Sequence, residues 1–214
     1  MKRAITFGTD GVRGVANRDL TPEDAMRLGL AASRAFEGPI IVGRDTRLSG
    51  AMLSHALCAG AASGGARVVD LGVLPTPGVA ALAPRLGASA AGVVSASHNP
   101  FPDNGIKFFS GEGRKLSSGR EREIEGLASR DEPRPTGDAV GTVEVLDDAV
   151  RLYVEGVVAR LRPAAGRVKV LLDCANGAAY EAAPLAFAQT GADLTLKGVD
   201  PTGTNINEGC GSTH

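Results

Sequence analysis

Ala88-Ser89-Ala90-Ala91-Gly92-Val93-Val94-Ser95 runs through Ala96-Ser97-His98-Asn99-Pro100 and on to Gly105-Ile106-Lys107-Phe108-Phe109. A small apolar run, a turn-forming Asn-Pro pair and a second apolar run read as strand, loop and strand. Ser97 then stands beyond the carboxyl end of a strand, where α/β proteins place their ligands. His98 adjoins it, and Lys107 follows one strand later. A hydroxyl held rigidly beside a titratable group and a cation meets the needs of covalent catalysis by serine. The same string also serves as a plain strand-turn-strand whose serine caps local amides. Read alone, it does not separate the two.

Outward from this loop, helix-like and strand-like patterns alternate, which favours an α/β class. Thr21-Pro22-Glu23-Asp24 predicts a helix start, with a hydroxyl cap, proline in the first turn and acids on the dipole; the helix runs to about Phe36. Pro39 to Gly43 is a short strand. Ser49 is expected to cap a helix through Ser63 that turns Met52, Leu53, Ala56 and Leu57 to one face. Arg67 to Leu71 is a strand, and Pro75-Thr76-Pro77 turns into a helix ending near Leu86. Ser117 to Ser129 reads as a charged surface helix.

Asp131-Glu132-Pro133-Arg134-Pro135-Thr136-Gly137 is polar, proline-rich and aperiodic, and marks a boundary region. Beyond Gly141 the pattern restarts: a helix near Asp147 to Leu161, a strand from Arg167 to Asp173, an Asn176-Gly177 turn, a helix near Ala179 to Gln189 and a strand from Ala192 to Leu196. One βαβ-type unit is too little to close a sheet alone. The expected fold is α/β, with three-layer domains holding a mixed sheet between helices. Residues 1–140 form a complete N-terminal domain bearing the serine loop, and residues 141–214 an incomplete second domain.

Composition narrows the function. The 214 residues carry 23 basic and 24 acidic side chains, a net charge of −1, which gives no electrostatic case for nucleic acid or an anionic membrane. Aromatics make up 4% with no Trp, so base-stacking surfaces are disfavoured too. Cys58, Cys174 and Cys210 are far apart and lack metal-ligand spacing, and read as buried thiols in a reducing compartment. With no apolar leader or membrane-length run, the expected location is the cytoplasm.

Three further segments change the weight of the Ser97 loop. Phe7-Gly8-Thr9-Asp10-Gly11-Val12-Arg13-Gly14 is a glycine-dense loop with one arginine, and Val42-Gly43-Arg44-Asp45-Thr46-Arg47-Leu48-Ser49-Gly50 follows. With Ser97-His98-Asn99-Pro100 and Asn104-Gly105-Ile106-Lys107, in that order, they resemble the α-D-phosphohexomutase family. Asn205-Ile206-Asn207-Glu208-Gly209-Cys210-Gly211-Ser212-Thr213-His214 is similar to its phosphoglucosamine mutase branch. The resemblance implies an intramolecular phosphotransferase that interconverts glucosamine 6-phosphate and glucosamine 1-phosphate through a phosphoserine and a bisphosphate intermediate. A phosphomannomutase or phosphoglucomutase remains the alternative within the family. A non-catalytic domain bearing a phosphoserine is the alternative outside it.

By the same resemblance Ser97 carries the phosphoryl group, and its phosphate is one ligand of a Mg²⁺ ion whose aspartates lie outside this sequence. Hexosamine 1,6-bisphosphate is the implied activator. The chain is expected to hold the first and part of the second of the family's domains, and to be inactive as a mutase alone. Lys107 matches the family's general acid/base; lysine fills that role once burial or nearby cations lower its pKa. Only 5 of the 23 basic residues are lysine, which hints that position 107 wants an ammonium. His98 either orients the phosphoserine or moves a proton, or else only holds the loop. Arg13 and Arg44 are fixed cations whose guanidinium forks match phosphate oxygens. Asp45 and Arg47 are expected to pair with each other, Asp10 to brace its loop, and Ser95 and His55 to be structural. The expected partner is a small sugar phosphate, with neither nucleic acid nor membrane, and a homodimer is left open.

Overall fold

The structure, a computed structural model, describes residues 4–131, 133–161 and 168–214. Its elements are β1 (Val12–Val15), α1 (Pro22–Ala35), β2 (Ile40–Arg44), α2 (Gly50–Ser63), β3 (Val68–Val73), α3 (Thr76–Arg85), β4 (Ala90–Val94), β5 (Asp103–Ser110), α4 (Ser118–Ser129), β6 (Val143–Val145), α5 (Ala149–Val158), β7 (Lys169–Asp173), α6 (Ala182–Ala188) and β8 (Asp193–Lys197). Thr21 does start α1: its hydroxyl accepts from the Asp24 amide while the Asp24 carboxylate accepts from the Thr21 amide, a reciprocal capping box. Ser117 caps α4 by accepting from the Arg120 amide.

Ser49 departs from expectation. It precedes α2 but makes no side-chain cap bond. Its hydroxyl instead accepts from the Asn104 carboxamide at 2.9 Å. Asn104 is fully buried, and a buried amide left unpaired costs more than a missing cap at a helix end.

Six strands form one sheet in the order β1-β5-β4-β2-β3-β6. β2, β3, β4 and β6 run parallel, and β5 lies antiparallel between β4 and β1. The period-2 alternation of side chains divides these strands between two cores. Ile40, Val42, Ala90, Val94 and Ile106 face Leu28 of α1, Leu53 and Leu57 of α2 and Ile124 of α4. Ile41, Val69 and Val93 face Leu82 of α3 and Ala149 of α5. The mixed sheet therefore lies between two helical layers, as the sequence predicts. Each fully buried Leu or Ile in these cores contributes about 1.5–3 kcal/mol.

The first sheet extends past position 140, where the sequence places the domain division. β6 pairs parallel with β3, and Ala149 at the start of α5 is buried in the second core. The physical reason is the outer edge of β3, whose backbone groups β6 satisfies. Glu132, within the expected boundary run, and Arg167, the expected start of a strand, lie outside the described residues. Beyond them β7 and β8 form a separate parallel pair.

Candidate active site

β4 ends at Val94, and the chain turns through residues 95–102 before β5. Ser97 is exposed and its backbone sits at φ 58, in the left-handed region. For a non-glycine residue that conformation is held only when the surroundings impose it.

A buried brace imposes it. Ser95 Oγ donates to Asp45 Oδ2 at 2.7 Å and accepts from the Ser97 amide at 3.1 Å. Asp45 Oδ2 also accepts from Arg47 Nε at 2.9 Å. The Arg47 side chain is fully buried. Its Nη1 donates to the carbonyls of Pro100 and Asp103, and its Nη2 to those of Ser97 and Asn99. All five guanidinium N–H groups thus have acceptors, three of them carbonyls of this loop and a fourth the carbonyl of Asp103 at the start of β5. Lysine, a point charge with three donors, does not match that fork. Removing either partner of such a buried pair typically costs about 3–5 kcal/mol.

β5 carries Lys107 opposite Val93 of β4. β1 places Arg13 opposite Gly105, two residues along the same face of β5 as Lys107. Gly105 makes room for it, because a Cβ there would lie 2.8 Å from both Arg13 Cγ and the Ser95 carbonyl. Gly11, at φ +91, lets the N-terminal loop lie on β5: a Cβ would meet the Ile106 carbonyl at 2.3 Å and Lys107 Cβ at 3.0 Å. Lys107 is half-buried. Burial first, then the Arg13 charge, pulls its ammonium below the usual lysine range. Asp10 opposes this, Lys115 adds to it and Asp45 opposes it. Asp10 lies 3.6 Å from Arg13, in keeping with a loop-bracing role.

Arg44 ends β2 opposite Val94 and leaves the other face, beside the start of α2. The Nε atoms of Arg13 and Arg44 are both buried with no hydrogen-bond partner among the described residues. Such donors call for an acceptor. His98 is exposed on the loop. Among the described residues no hydrogen bond joins the Ser97 hydroxyl to His98 or Lys107. The fold therefore brings Arg13 and Lys107 together and presents Ser97 and His98 on the braced loop, with Arg44 approaching from the opposite face.

Sequence reasoning saw Arg47 only as a partner for Asp45. The spacing Asp45-x-Arg47 gave that pair away, but nothing in it points to four carbonyls more than 49 residues on. Asp45 pairs with Arg47 as expected, and also accepts from Ser95. His55 sits 3.7 Å from Asp70 and is mostly exposed. All three cysteines are free and buried, and burial pushes the Cys58 thiol up to about 12. Clefts along the seam of α3 and α5, lined by Pro77, Leu82, Arg85 and Tyr153, share no residue with the serine loop.

The family model for phosphoglucomutase/phosphomannomutase, alpha/beta/alpha domain I, matches residues 4–134. A phosphoglucosamine mutase of Rubrobacter xylanophilus is 66% identical over 214 residues, all of this chain and 48% of that protein. Another from Desulforamulus reducens is 50% identical, over 99% of this chain and 49% of that protein. A solved phosphoglucomutase/phosphomannomutase family protein of Burkholderia thailandensis superposes with a TM-score of 0.81 at 29% identity, covering 95% of this chain and 46% of that one. The chain spans about half the length of the relatives it matches. It belongs to the phosphoglucomutase/phosphomannomutase family, whose alpha/beta/alpha domain I is matched by residues 4–134.

Proposed function

We propose that this chain supplies the serine-bearing half of a phosphoglucosamine mutase, an intramolecular phosphotransferase acting on glucosamine 6-phosphate and glucosamine 1-phosphate. The observation that carries the reading is Ser97 itself, exposed and held at φ 58 by a buried arginine on its carbonyl side, with no hydrogen bond to its hydroxyl among the described residues. The 66% identity to the Rubrobacter xylanophilus mutase over the whole chain supports the substrate. In the reaction the phosphorus–Oγ bond of phospho-Ser97 breaks as a bond forms to the sugar hydroxyl. Lys107, as the neutral amine, takes the hydroxyl proton, and the departing Ser97 Oγ takes one proton back from the resulting ammonium or from water. The bisphosphate turns over and the second phosphoryl returns to Ser97 by the reverse steps.

Because the transition state spreads negative charge over the phosphoryl oxygens, fixed cations do most of the work. Arg13 and Arg44 have unpaired buried Nε donors suited to that charge. Mg²⁺ would neutralise the phosphoserine, but the described residues contain no cluster of three His, Cys, Asp or Glu side chains able to hold it. They do not form its site by themselves; Ser97 phosphate would offer one ligand. His98 is assigned to orienting that phosphate. The same reading places the junction of the two units between α5 and β7.

The test uses the full-length protein incubated with glucosamine 1,6-bisphosphate. Tandem mass spectrometry is expected to localise one phosphate to Ser97, and Ser97→Ala to abolish mutase turnover. A stoichiometric phosphate on Ser95 alone, or an active Ser97→Ala enzyme, overturns the assignment. Equal kcat/KM on mannose or glucose 6-phosphate would move the substrate to the phosphomannomutase or phosphoglucomutase reading.

A further inference from the structure

Four N–H groups converge on two carbonyls of the serine loop, and half of them come from the other end of the chain. Arg47 Nη2 donates to the Ser97 and Asn99 carbonyls at 2.8 and 2.9 Å. Asn207 Nδ2 donates to the same two carbonyls at 3.0 and 3.2 Å. A carboxamide nitrogen has two hydrogens to give, and both are used here. Two carbonyls demand donors, which sets the amide with its nitrogen toward the loop.

Asn207 is itself held in place. Its backbone lies at φ 61, a left-handed conformation that asparagine tolerates better than most residues. Its amide donates to the Ala175 carbonyl at 2.9 Å, and Ile206 and Cys210 on either side are buried. The segment around Arg47 is tied to the same region. Thr46 Oγ1 donates to the Asn176 carbonyl, and the Leu48 amide to the Gly203 carbonyl at 2.8 Å. The guanidinium and the carboxamide thus form one clamp, built from residues 46–48 on one side and 203–207 on the other.

We infer that Asn207 is a positioning residue for phosphoryl transfer: from the second unit it fixes the carbonyl side of the loop that presents Ser97. This rests on the assignment of Ser97 as the phosphoryl carrier. A nucleophile displaced by about 1 Å can lose about 10²-fold in rate, so the clamp acts on kcat rather than on sugar binding.

The experiment compares full-length wild type with Asn207→Gly, which keeps the left-handed backbone and loses the amide, and Asn207→Asp, which keeps the size and sets a carboxylate against two carbonyl oxygens. Both are expected to speed hydrogen exchange in the peptide spanning residues 95–104. Both should slow Ser97 phosphorylation by glucosamine 1,6-bisphosphate and lower kcat by about 10- to 100-fold with little change in KM, Asp more than Gly. Thermal midpoints should stay close to wild type. Unchanged loop exchange with unchanged kcat overturns the inference, as does a loss of activity that merely follows the folded fraction. If the wild type shows no glucosamine phosphate turnover while loop exchange still rises in both variants, the positioning role stands and the substrate reading falls.

Discussion

Lys107 is a candidate proton carrier whose surroundings favour the neutral amine. Burial and the Arg13 guanidinium hold its pKa down, while the Asp10 carboxylate pulls it back up. If it moves a proton, Lys107→Arg in the full-length enzyme is expected to lower kcat by about 10²–10⁴-fold, far more than it weakens substrate binding; near-normal kcat would return it to a structural role. Asp10→Asn gives a test of sign. Removing the carboxylate removes a charge that favours the ammonium, so the Lys107 pKa falls further. The limb of the kcat/KM pH profile that disappears in Lys107→Met should then move to lower pH. A limb that stays put or moves upward contradicts the assignment.

At the scale of elements, the crossing of α1 and α2 depends on two glycines. A Cβ at Gly29 would stand 2.0 Å from the Leu57 carbonyl, and one at Gly60 2.0 Å from the Met26 carbonyl. Both obstacles are backbone and cannot swing aside. Gly60→Ala gains about 1 kcal/mol of helix propensity, but overpacking costs about 1–3 kcal/mol, and rigid neighbours push it to the upper end. The expected net result is a lower urea midpoint; an unchanged or higher one would mean that the helices separate freely. In sequence these glycines only weaken the helix pattern. The buried face of α2 was legible, since Leu53 and Leu57 are buried with Met52 and Ala56 packed against the same core.

Across the whole molecule, burial is uneven. The inner strands β2 and β4 of the six-stranded sheet are buried almost throughout, whereas Leu171 of β7 and Leu196 of β8 are 68% and 45% exposed. A two-stranded pair is marginal in water, so local opening should cost less there. For the 214-residue chain, amides of β2 and β4 are expected to exchange much more slowly than those of β7 and β8. α5 should follow the first sheet, because Ala149 belongs to its core. Equal protection throughout would show that the two sheets open as one unit.

What the sequence determined by itself was local or periodic. Thr21 and Asp24 are three residues apart and cap a helix by bonding each other, and the apolar run from Pro39 to Gly43 reads as a strand and falls within one residue of β2 at each end. The loop bearing Ser97 was legible for the same reason, and four ordered motifs carried the family. What only the tertiary structure decided depends on groups far apart in the chain. Ser49 gives up its cap to Asn104, β6 completes an edge that β3 presents, and Arg47 and Asn207 meet at the same two carbonyls. Hydrogen-bond satisfaction is a property of the folded volume, so no spacing in the sequence encodes which donor a buried carbonyl will find.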